Sequence, residues 1–176
     1  VDHVSFSVQP GEVVGLLGRN GAGKTTSFRM AIGMVRPKAG VVQLSGEDVT
    51  DLPMFRRAEL GLGYLAQEPA VLKRLTVEQN IEAVLELRGL DRETRRAKVS
   101  SLLYEFGLNV VRSSKAGALS GGERRRLEIA RALSTDPTIM LLDEPLYGVD
   151  PIAVREIIKL IHGLRHREIG VLITEH

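Results

Sequence analysis

The chain has 176 residues with 24 Lys and Arg against 22 Asp and Glu, a net charge of +2 and an apolar fraction of 43%. That length suits one domain of about 100–200 residues, and so small a charge excess argues against a nucleic-acid binder. There is no cysteine, which excludes disulfides and thiolate metal sites, and no run of about 20 apolar residues to span a membrane. Val4–Val8 alternates apolar and polar residues and predicts a half-buried strand. Val13–Leu17 is apolar without alternation and predicts a buried parallel strand; a glycine-rich turn and a helix through about Met34 follow. Val41–Leu44 and Leu62–Leu65 are further short strands.

The middle of the chain reads as helical. Thr76 with Gln79 forms a capping box ahead of Ile81, Val84 and Leu85. Asp91 caps a helix whose Val99, Leu102, Leu103 and Phe106 share one face before Gly107 stops it. Ile139–Leu142 is another buried strand. Asp150-Pro151 starts a helix with Val154, Ile157, Ile158 and Ile161 as its apolar stripe, and Gly170–Thr174 is a last strand. Strands alternating with helices predict an α/β fold with a mostly parallel sheet and flanking helices, an N-terminal antiparallel β piece, and a helical subdomain inserted at about 69–119.

Gly18-Arg19-Asn20-Gly21-Ala22-Gly23-Lys24-Thr25 is a complete phosphate-binding loop set between a buried strand and a helix. Its glycines let successive backbone N–H groups turn toward phosphate oxygens, and the helix N-terminus adds partial positive charge. Lys24 then meets the β- and γ-phosphates, and the Thr25 hydroxyl faces Mg²⁺. A nucleoside triphosphate is the predicted ligand. In Ile139-Met140-Leu141-Leu142-Asp143-Glu144, four apolar residues deliver Asp143 to the carboxyl end of a strand, where ligands of open α/β sheets bind. Asp143 is placed to hold Mg²⁺. Glu144 faces the other way, toward an attacking water. Leu119-Ser120-Gly121-Gly122-Glu123 opens a helix over Arg124–Leu133. It reads either as plain capping by Ser120 or as a second anion cradle serving another chain's nucleotide. The Arg124–Arg126 run reads as a solvated helix face.

Taken together, the phosphate loop, Leu119–Glu123, Leu142-Asp143-Glu144-Pro145, Asp150 and His176 resemble, in order and spacing, the ATP-binding-cassette ATPase family. The resemblance implies a P-loop NTPase that binds ATP and Mg²⁺. It extends the nucleotide-contacting set to Thr26 beside Gly18, Asn20, Gly21, Ala22, Gly23, Lys24 and Thr25. It makes Ser120, Gly121, Gly122 and Glu123 a signature that closes over ATP held by a second copy, with Asp150 at the same interface. Two copies would pack head to tail around two ATP molecules. The resemblance also gives Gln67 a role at Mg²⁺ and water, and His176 one at the γ-phosphate; each alone would be an ordinary polar residue. Glu144, His176 and Gln67 form the expected catalytic set, and Thr25, Gln67 and Asp143 the expected metal set.

Three stretches sharpen the resemblance. Phe55–Ala58 with Gly63–Glu68, Gly122–Arg131, and Gly148–Ile152 are similar to the ATPase subunits of lipopolysaccharide exporters, with branched-chain amino-acid importers as near relatives. The expected partners are a second copy and transmembrane permease subunits, one helix of which would enter a groove beside Gln67, with no nucleic acid. The expected location is the cytoplasmic face of the inner membrane. A soluble cassette ATPase of repair or translation is disfavoured, because Lys24 and Asp143 are 119 positions apart, too close for a long coiled-coil insertion, and no cysteine is present. Tyr147 departs from the exporter pattern, being bulky where the family packs across its dimer interface. Val1 and His176 are expected to be cut ends of a longer nucleotide-binding domain.

Overall fold

A computed structural model describes residues 1–175. In chain order the elements are β1 (Val13–Leu17), α1 (Lys24–Ala31), β2 (Gln43–Leu44), β3 (Glu47–Asp48), α2 (Met54–Glu59), β4 (Leu62–Leu65), α3 (Val77–Leu87), α4 (Arg92–Glu105), α5 (Gly121–Leu133), β5 (Ile139–Asp143), α6 (Pro151–Gly163) and β6 (Gly170–Glu175). They divide between two compact units. One holds residues 1–67, 137–145 and 162–175; the other holds 68–136 and 146–161.

The first unit is built on a four-stranded parallel sheet of order β1-β6-β5-β4. The central strands β5 and β6 are buried almost throughout, at residues facing either side of the sheet. Their unbroken apolar runs follow from that double burial. Phe28 and Ile32, on and just past α1, pack with Leu141 of β5 and Leu172 of β6, while Val14, Leu16 and Tyr64 close in around them. Full burial of a side chain such as Phe28 contributes about 1.5–3 kcal/mol.

Several sequence expectations shift here. Val4–Val8 forms no strand, and Val4 and Phe6 are exposed. An alternating segment becomes a strand only where a sheet edge receives it, and Val4–Val8 pairs with none. The antiparallel piece is instead the β2–β3 ribbon, which pairs Gln43 with Asp48 and Leu44 with Glu47. Val41, expected in a strand, lies outside it and is exposed. The helix predicted through Met34 ends at Ala31, and Gly33 takes φ 85° to turn the chain away. α2 had no periodic signal in its six residues.

Arg57 of α2 is the largest fully buried side chain of this unit. Its guanidinium donates to the carbonyls of Met30 and Ala31 at 2.8 and 2.7 Å, Leu52 at 2.9 Å and Thr50 at 2.8 Å. Two of those carbonyls belong to the last turn of α1, whose unsatisfied acceptors and negative dipole end favour a cation.

The second unit is helical and its helices are capped from the sequence. Thr76 and Gln79 exchange both bonds of a capping box at α3, and Asp91 accepts from the amides of Glu93 and Thr94 at α4. Buried Asn80 ties the 72–76 loop to α3, accepting from Leu72 N–H at 2.8 Å and donating to Thr76 C=O at 2.8 Å. The Arg124–Arg126 run is not a solvated face. Arg125 is buried and bonds Glu128 at 2.9 Å, Arg126 pairs with Glu156 at 2.7 Å, and Arg124 donates to Leu119 C=O at 3.0 Å. Long arginine side chains folded back on their own unit explain why so basic a stretch presents little charge to solvent. In α6, Ile157 and Ile161 are buried as expected, whereas Ile158 remains 38% exposed.

Candidate functional site

The parallel sheet determines where the site forms. β1 and β5 run in the same direction, so the loop after β1 and the acidic end of β5 emerge on the same edge. Between β1 and α1, Gly21 and Gly23 adopt φ 82° and 96°, which lets the backbone curl ahead of the helix. Gly23 is the N-cap of α1 and brings no side-chain cap, so the first amides of the helix are left for an outside acceptor. Lys24 is buried, and its Nζ donates to the carbonyl of Gly18 and, at 3.3 Å, to that of Arg19. The ammonium is thereby folded over the loop that encloses it.

Thr25 places its Oγ1 3.4 Å from Asp143 Oδ1. Asp143 is 1% exposed, and the same Oδ1 accepts from the Thr174 hydroxyl at 2.7 Å. Its Oδ2 is buried and accepts no hydrogen bond from the described residues. A buried carboxylate oxygen without a donor is costly unless a cation or water completes it. Burial, and then the charge of Asp143, push the Tyr64 phenol above its ordinary value.

One residue on, Glu144 takes φ 45°, left-handed and unusual for a side chain without an amide. That backbone reverses the alternation of the strand and sends the carboxylate to Gln67, whose Nε2 donates to Oε2 at 2.7 Å. The Glu144 amide is held at both atoms of one partner, Thr174 Oγ1 at 3.0 Å and Thr174 C=O at 3.2 Å. Gln67, two residues past β4, therefore meets Glu144 and not Asp143. Thr174 was not among the residues singled out from sequence; the register that sets Asp143 opposite Thr174 is what reveals it.

Ser120, Gly121, Gly122, Glu123 and Asp150 belong to the second unit. Ser120 Oγ accepts from Glu123 N–H at 3.3 Å, and Glu123 Oε2 accepts from Ser120 N–H at 2.9 Å and its hydroxyl at 2.7 Å. Hydrogen bonds from the Ser120 hydroxyl and amide hold the Glu123 carboxyl below its ordinary value. Of the two readings open for this stretch, the capping one is realised in full. Asp150 caps α6 by accepting from Ile152 and Ala153 N–H at 3.1 and 3.0 Å. A Cβ on Gly122 would lie 2.6 Å from Ala153 Cβ, so glycine there lets α5 and α6 touch. The expected role of His176 falls outside the described residues.

The site residues fit a nucleotide with Mg²⁺. Mg²⁺ takes one or two carboxylates and keeps its remaining positions for water and phosphate, which suits a lone orphaned Oδ2. Among the described residues no cluster of three or more His, Asp or Glu side chains could hold a metal by itself.

A glycine-rich cradle after β1 facing a strand-end Asp-Glu pair defines a phosphate-loop nucleotide site on a parallel α/β sheet. The chain belongs to the ABC transporter family, whose model matches residues 1–147. An uncharacterized ABC transporter ATP-binding protein of Rhizobium meliloti is 57% identical over the whole chain, which spans 65% of that relative. The lipopolysaccharide export system ATP-binding protein LptB of Haemophilus influenzae is 53% identical over the whole chain, which spans 73% of it. Among solved structures, the ADP conformation of MJ1267, an ATP-binding cassette of an ABC transporter, matches with a TM-score of 0.86 and 30% identity, covering 98% of this chain and 73% of that one. No helix among the described residues is long and apolar enough to cross a membrane.

Proposed function

We propose that the chain is the nucleotide-binding part of a Mg²⁺-dependent ATPase that powers lipopolysaccharide export from the inner membrane. The observation that carries it is the convergence of Lys24, Thr25, Asp143, Glu144 and Gln67 in one unit, with a buried oxygen of Asp143 left without a donor. Identity of 53% with LptB supports the transported class.

Gly18, Asn20, Gly21, Ala22 and Gly23 wrap the β- and γ-phosphates with main-chain N–H groups, and Thr26 extends the cradle along α1. Lys24 transfers its ammonium from the carbonyls of Gly18 and Arg19 to phosphate oxygens. Thr25, Gln67 and Asp143 would hold Mg²⁺, which when bound would neutralise phosphate charge. Glu144 accepts a proton from the attacking water, an effect typically worth about 10²–10⁴-fold. His176 contacts the γ-phosphate. Positioning and fixed positive charge supply the larger part of the catalysis.

A second copy brings Ser120, Gly121, Gly122, Glu123 and Asp150 to the nucleotide, giving a two-fold head-to-tail dimer around two ATP molecules. Residues of about 69–119 act as the helical subdomain, and membrane permease subunits tether the ATPase to the cytoplasmic face of the inner membrane. The test is co-expression with lipopolysaccharide-export permeases and assay of ATP hydrolysis and lipopolysaccharide release from vesicles. Stimulated hydrolysis lost in Lys24→Ala is expected. Co-purification with ribosomes, or coupling only to amino-acid permeases, overturns the exporter assignment.

A further inference from the structure

On the reading that this is a Mg²⁺-dependent ATPase site, we infer that Thr174 is a positioning residue that aims both acidic side chains at the end of β5. Its hydroxyl has one proton to give and lone pairs to receive, and both are used. The proton goes to Asp143 Oδ1 at 2.7 Å; the Glu144 N–H is received at 3.0 Å. Thr174 is itself fully buried, so no water competes for either bond.

Two consequences follow from that single oxygen. First, Asp143 has its two oxygens made unequal. Oδ1 is occupied by Thr174, with Thr25 at 3.4 Å, and Oδ2 is the one left without a donor. Rotation of the carboxylate would break the shorter bond, so Thr174 decides which oxygen is presented to a cation. Second, Glu144 is held in a left-handed backbone that its residue type resists, and the Thr174 hydroxyl and carbonyl share the amide that must be pinned for that conformation to persist. Release of the amide lets Glu144 relax toward strand geometry and carries its carboxylate away from Gln67.

Valine keeps the β-branch and volume of threonine and suits a central strand, so Thr174→Val removes the hydroxyl and little else. The test uses the full-length ATPase and an equilibrium titration of a fluorescent ATP analogue with and without Mg²⁺, beside steady-state hydrolysis. Outer partners of metal ligands typically shift metal affinity or activity by about 10–100-fold. Thr174→Val is expected to bind nucleotide alone as the native protein does, to need roughly 10–100-fold more Mg²⁺ for the metal-dependent gain in affinity, and to lose kcat by a similar factor with KM nearly unchanged. Thr174→Ser, which keeps the hydroxyl, is expected to restore both. Where Thr174→Val does not fold, Thr174→Cys replaces it, a small unbranched side chain with only a weak donor. Native Mg²⁺ dependence in the hydroxyl-free variant, or a serine variant as impaired as it, overturns the inference. A native protein without any Mg²⁺-dependent nucleotide binding would instead overturn the ATPase reading itself.

Discussion

Gln67 donates its side-chain amide to the Glu144 carboxylate at 2.7 Å, joining the segments just past β4 and β5 across the site. An amide at position 144 still offers an oxygen to Gln67, so Glu144→Gln keeps this contact while removing the basic group. Hydrolysis is expected to fall at least about 10²-fold, with nucleotide still bound and the melting temperature close to native. Phosphate release and nucleotide retention measured on the same sample check this. Undiminished turnover removes Glu144 from its role.

Arg57 satisfies four backbone carbonyls from inside the first unit. Arg57→Met fills the space but takes this donor from all four, and bonds to charged groups contribute about 1.5–3 kcal/mol each. The expected loss is at least ~3 kcal/mol of unfolding free energy in urea. Arg57→Lys recovers little of it, because one ammonium cannot replace a planar fork that reaches carbonyls in three directions.

Gly122 and Ala153 sit where α5 and α6 touch. Gly122→Ala forces two methyl-sized groups into the space of one, an overpacking that typically costs about 1–3 kcal/mol. Ala153→Gly in the same chain relieves the clash, so the double variant is expected to be more stable than Gly122→Ala alone. Additive losses across this double-mutant cycle would show that the two positions do not share that space.

Glu123 has its carboxyl held low first by the Ser120 hydroxyl and then by the Ser120 amide. A folded value below the unfolded one means that this group stabilises the fold above the unfolded value, near 4.3, and that the contribution disappears as pH falls through the lower folded value. The stability difference between native protein and Glu123→Gln is therefore expected to be largest near about pH 7 and to shrink below about pH 4. Chemical denaturation at both pH values reads it; a difference that grows on acidification contradicts the sign.

Short-range chemistry was the legible part of this chain. The phosphate loop and the caps at Thr76, Asp91, Ser120 and Asp150 depend on neighbours within a few positions and are in place, and the apolar runs over β1, β5 and β6 are parallel strands, although β1, expected to be buried, is not, with Leu17 73% exposed. Segments that needed a distant partner were misread or missed. Val4–Val8 has the alternation of a strand and pairs with no other segment. Nothing in the residues beside Arg57 marks it for burial; the carbonyls of Met30 and Ala31 that accept from it lie in the last turn of α1. Thr174 read as the end of an apolar strand, and only the register opposite Asp143 gives its hydroxyl a task. The left-handed turn at Glu144 likewise leaves no mark on residue type.

Strand order carries a last consequence, for the time course of folding on the ribosome. Among the described residues β1 pairs with β6 alone, and Val13 stands in register with Val171, 158 positions later. At roughly 5–20 residues per second, β1 and the phosphate loop behind it wait on the order of ten seconds or more before their supporting strand is made. A nascent or truncated chain ending before Gly170 would carry every residue of the phosphate loop and still lack the strand that holds it, so its affinity for nucleotide should arrive late and all at once.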